Sequence, residues 1–114
     1  MPADRTPREQ FDQIAVDVFS DVESRWPEEL APVELAVEEI PLLPRTWSAP
    51  RVPLASMVPA TQAAPPRLVL FRRPIEHRAT TRDELEAMVH TVVVEQLAEL
   101  LGLTPGQVDE RYGD

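Results

Sequence analysis

Toward the end of the 114-residue chain, Val94-Glu95-Gln96-Leu97-Ala98-Glu99-Leu100-Leu101-Gly102 carries the residue types best able to do chemistry. Two carboxylates stand four residues apart, an amide follows the first, and a glycine lies three past the second. On a helix, positions i and i+4 are one turn apart, with side chains rooted about 5–6 Å from each other. Glu95 and Glu99 so placed repel one another unless a cation, an arginine or water relieves them. Two carboxylates without histidine favour a hard cation over zinc. Glu95 and Glu99 are thus the candidate metal ligands, although a solvated helix face is the plainer reading. The two histidines, His77 and His90, read as structural or surface residues.

The element that must position this pair is a helix. Thr80 or Thr81 is its expected N-cap, Asp83 and Glu84 sit in its first turn, and Gly102 and Pro105 end it. At about 100° per residue, Val89, Val93, Leu97, Leu100 and Leu101 gather on a core side. Glu84, Thr91, Glu95 and Glu99 gather opposite. Upstream, Arg67-Leu68-Val69-Leu70-Phe71-Arg72 predicts a strand covered on both faces and closed by Pro74. Val33 to Ile40 alternates apolar and polar residues through Glu38, which predicts a half-buried strand.

At the other end, Thr6-Pro7-Arg8-Glu9 has the spacing of a capping box with proline at the first helical position. Behind it Phe11, Ile14, Ala15, Val18, Phe19, Val22 and Trp26 form one stripe, predicting a helix over 6–25 that Pro27 terminates. Seven prolines fall between Pro41 and Pro66. That density predicts a loop or arm, pinned where Trp47, Val52, Leu54, Met57 and Val58 meet the body. The expected order is α-β-loop-β-α: a single α+β domain over 1–114 with a small sheet and a proline-rich arm at 41–66.

A net charge of -9 argues against nucleic acid and anionic membranes as partners, because both are held through Lys and Arg. With no cysteine, thiolate-bound zinc and disulfides are excluded. Met1 to Gln10 shows no apolar signal core, so the expected residence is cytoplasmic. A small-molecule partner or a protein or peptide partner fits this composition better. Homo-oligomers are compatible with a short sheet that leaves edges.

From Arg67 to Gly102 the chain resembles the small bacterial zincin-like metallopeptidases, a family first catalogued as a domain of unknown function. The likeness extends to REQFDQIAVDVFSDVESRWPEEL and to VELAVEEIP, with RLVLFRRPIE its most distinctive string. The resemblance implies a minimal zincin-like domain whose last helix carries His-Glu-x-x-His-x-x-Gly and a third ligand three residues past the glycine. In such sites two histidines hold zinc and the glutamate between them activates the bound water. Aligned on Gly102, Glu95 stands at the first histidine, Gln96 at the general base, Glu99 at the second histidine and Pro105 at the third ligand. Moving the register by one residue puts Val94 and Ala98 at the histidines, which leaves no ligand.

The resemblance therefore implies a family member without zinc, cofactor or catalytic residue, acting as a binding or structural protein. The alternative is a divergent hydrolase using Glu95 and Glu99 with a non-zinc cation. A third reading takes the chain as an acidic domain whose folded core is its one legible feature.

Overall fold

The computed structural model describes residues 5–43 and 52–113. Helix α1 spans Pro7–Glu23 and a single turn, α2, covers Pro27–Leu30. Strands β1 (Glu34–Glu38), β2 (Ala55–Val58) and β3 (Arg67–Phe71) follow. Then come α3 (Arg72–His77), α4 (Arg82–Leu101) and the short α5 (Pro105–Val108). The fold is α+β, as its sequence pattern implies.

Local chemistry sets the helix starts. Thr6 accepts from the Glu9 amide while Glu9 accepts from the Thr6 amide, the reciprocal pair that satisfies orphan donors at a helix start. Thr81 accepts from the Glu84 amide and so is the cap of α4. Gly102 closes that helix in the left-handed region at φ 70°, where a side chain would be strained.

The sheet has the order β1-β3-β2, with β1 parallel and β2 antiparallel to β3. Register places Leu35, Leu68 and Met57 in one row and Val37, Leu70 and Ala55 in the next. Alternation sends these rows to the face that joins the helical core. Leu68 and Leu70 are fully buried there, and Val69 and Phe71 are buried on the other face, so β3 is covered on both sides.

Three expectations change. The segment 41–66 is not all loop, because Ala55–Val58 pairs with β3 as strand β2. Proline at positions 53 and 59 flanks this strand and leaves its four amides intact for pairing. Residues 44–51 of that segment, Trp47 among them, lie outside the described residues. Pro74 does not close the β3 strand; it sits in the first turn of α3, where a missing N–H costs nothing. Leu100 is not core but 36% exposed, while Val92, Val94 and Ala98 are buried beside Val89, Val93 and Leu97. The buried arc of α4 spans roughly 240° at 100° per residue, because the sheet covers one side and α1 and α5 cover others.

Two ion clusters lock this packing. Arg72, opening α3, donates to Glu39 at 2.7 Å and to Glu76 at 2.8 Å, tying the end of β1 to α3. The guanidinium holds the Glu39 carboxyl below the usual carboxylate range. Asp109, just past α5, is 1% exposed. Its carboxylate accepts from Arg25 at 2.7 Å, from His90 at 2.9 Å, and from the Arg111 amide and side chain at 2.9–3.1 Å. Because an ionised carboxylate only accepts, Nε2 of His90 carries the proton in this contact. Arg111 reaches on to Asp21, and the Trp26 indole N–H donates to the Val108 carbonyl at 2.9 Å. The chain beyond Gly102 is thereby fastened to α1, to α4 and to the turn at Trp26.

Truncating Leu97 to Ala should cost about 2–5 kcal/mol, as for other large core residues, whereas Leu100→Ala should cost under about 1 kcal/mol; urea unfolding of both variants distinguishes this burial from the helical-wheel expectation. Hydrogen bonds with Arg111, opposed by burial and aided by His90 and Arg25, hold the Asp109 carboxyl far below its ordinary value. A depressed folded-state pKa stabilises above the unfolded value of about 3.9 and fades as pH falls below it. Asp109→Asn should therefore lower stability at neutral pH, by about 1–3 kcal/mol. The gap from the parent protein should be constant above about pH 5 and shrink below about pH 4. Denaturation midpoints measured across that range check both the size and the sign.

Candidate functional site

Glu95 and Glu99 project from the C-terminal half of α4, and both are exposed. They lie on the narrow arc of the helix that neither sheet nor neighbouring helices cover. Glu95 is not free: its Oε2 accepts the hydroxyl of Tyr112. This contact raises the Tyr112 pKa above its ordinary value, because a phenolate would lose the bond and face the carboxylate charge. Gln96, between the two, is half-buried. Its amide offers neither a proton-accepting base near neutral pH nor a charge.

Pro105, at the register of a third ligand, begins α5 behind the Thr104 cap. Thr104 and Gln107 make a second capping box there, at 2.9 and 3.3 Å. The residue is thus used for a helix start, and its ring carries no donor atom. The two histidines stay away from the pair. His90 lies about 140° around α4 from Glu95 and is bonded to Asp109. His77 ends α3, on the wall of a separate groove with Ile40, Pro41, Val52, Arg73 and Arg78. Among the described residues no group of three or more His, Cys, Asp or Glu is placed to hold a metal ion.

Two participants escaped the sequence reading. Tyr112, the single tyrosine, reaches Glu95 only because α5 reverses the chain onto α4. Asp109 organises that reversal from a position the periodicity of the helices does not cover. Its signal in the sequence is faint: an aspartate at the C-cap of a proline-started turn, two residues before an arginine. The described helices include none long and apolar enough to cross a membrane.

Glu95, Gln96, Glu99 and Gly102 keep the spacing of the HExxHxxG pattern on one helix. No curated protein matches the chain. The family model for zincin-like metallopeptidases matches residues 28–114, from α2 through the strands, α4 and the closing segment. The chain belongs to the zincin-like metallopeptidase family.

Proposed function

We propose that this family member is a non-catalytic binding or structural protein that holds no zinc. The observation that supports the reading most directly is Glu95, at the place of the first zinc ligand, accepting a hydrogen bond from Tyr112. Zinc in this family calls for imidazole donors, and the groups at the corresponding positions are two carboxylates and a proline. That donor set does not fit the ion. Gln96 removes the general base at that position independently, because an amide accepts no proton near neutral pH.

A second reading has one observation in its favour. Glu95 and Glu99 keep a one-turn spacing on an exposed arc, and Glu99 has no ion-pair partner among the described residues. A hard cation held there would make the chain a divergent hydrolase. Cytoplasmic residence and a protein or peptide partner complete the first reading, consistent with an acidic chain that lacks cysteine.

Elemental analysis of protein equilibrated with zinc and then dialysed should find far less than one zinc per chain, and peptide hydrolysis should stay at the blank rate. Stoichiometric zinc that disappears in Glu95→Ala would overturn the proposal. Hydrolysis that requires manganese or magnesium and vanishes in Glu99→Ala would establish the second reading. The single tyrosine gives a further check. Its absorbance titration should have a midpoint above about 10, the ordinary tyrosine value, and Glu95→Gln should return it toward that value.

A further inference from the structure

On the side of α4 turned away from Glu95 and Glu99, a groove of about 700 Å³ runs between α1 and α4. Its floor is apolar: Ile14 is almost fully buried, Val18 is half-buried, and Ala87 faces them. Asp17 and Asp21 from α1 and Asp83 and Glu86 from α4 give its rims four carboxylates, with His90 and the cationic Arg111 also in the lining. Asp21 is paired with Arg111 and Arg25, and Glu86 with Arg82. Asp17 takes an amide N–H from Gln13 at 2.8 Å, and no cation of the described residues pairs with Asp17 or Asp83. Both are exposed.

We propose that this groove docks a basic amphipathic helix of a partner protein. Its length along each helix, residues 14–21 and 83–91, is roughly 11–12 Å at 1.5 Å per residue, the footprint of two helical turns. Its apolar floor, Ile14 and Val18 one turn apart on α1 with Ala87 opposite, accepts side chains at i and i+3 or i+4 of an incoming helix. Lysines or arginines on either side of that stripe then meet Asp17 across α1 and Asp83 across α4. The charge also selects against other occupants. A second copy presenting the same face sets carboxylates against carboxylates, and a nucleic acid or anionic lipid meets a rim of its own sign. The site lies apart from the Glu95–Glu99 arc, so it stands or falls independently of what that arc binds.

The probe is a fluorescein-labelled helical peptide of about 16 residues, roughly four turns, with a Leu/Ala stripe flanked by Lys and Arg. Anisotropy near physiological ionic strength, where remote charges are screened, should show saturable binding. The double variant Asp17→Asn/Asp83→Asn should weaken it about tenfold, and Ala87→Trp, which fills the trough, should abolish it. Glu95→Gln/Glu99→Gln should leave it unchanged. Circular dichroism of each variant separates a lost fold from a lost site. Absence of saturable binding overturns the proposal. So does equal affinity for a peptide of the same composition with its apolar stripe dispersed, which would reduce the effect to net charge. Displacement by spermidine at concentrations like those of the peptide would reassign the groove to small polycations, and concentration-dependent dimers in sedimentation that bury the groove would reassign it to a second copy.

Discussion

A single buried carboxylate organises the closing segment of this protein. Asp109 is removed from water and must therefore find its solvation within the chain, since an unpaired charge in a low-dielectric interior is among the most costly arrangements a fold can contain. It finds it in three segments at once: Arg25 beyond α1, His90 on α4 and Arg111 on the tail. Each donor comes from a different part of the chain, so satisfying the charge fixes their mutual placement. Val108 enters the core beside it, and the Trp26 indole bonds to its carbonyl. The position of Tyr112 over Glu95 follows from that anchoring.

Arg72 plays the corresponding part where β3 runs into α3. The string RLVLFRRPIE, on which the sequence resemblance rests most, contains neither Glu95 nor Glu99. It supplies the fully packed central strand, the guanidinium that joins Glu39 to Glu76, and Ile75, fully buried under α3. The residues that pack this part of the fold are thus distinct from the exposed pair on α4.

Helix α4 serves three surroundings with one sequence. Its widest arc packs on the sheet, α1 and α5; a narrow arc carries Glu95 and Glu99 toward solvent; and its N-terminal half forms one wall of the acidic groove. The three are compatible because charged residues are confined to the arcs left uncovered. Burial on so many sides also explains why the amphipathic pattern of this helix is weaker than that of α1, where one stripe faces the core and the rest meets water.

The elements with strong local signals were legible in the sequence. The Thr6–Glu9 box, a cap at Thr80 or Thr81, the Gly102 stop and the apolar run of β3 depend on neighbours within a few residues, and local pattern records them. Helix α1 ends at Glu23 instead of Arg25, a fraying difference of the kind that separates any two definitions of a helix end. The exposed pair on α4 was legible too, being a matter of helical spacing. Strand β2 was not, because four residues among prolines become a strand only when β3 offers them an edge. Nor was the core role of Val92, Val94 and Ala98, which depends on what packs against α4 from other parts of the chain. Asp109 and Tyr112 illustrate the same boundary most sharply: the sequence shows an acidic residue and a phenol, while their placement and bonding arise from partners up to 84 positions away, as with Arg25 and Asp109. Sequence by itself determined the turns, caps and periodicities that short-range contacts enforce; tertiary structure decided which charges were withdrawn from water and who answered them, since that cost exists only once distant segments have closed around the group.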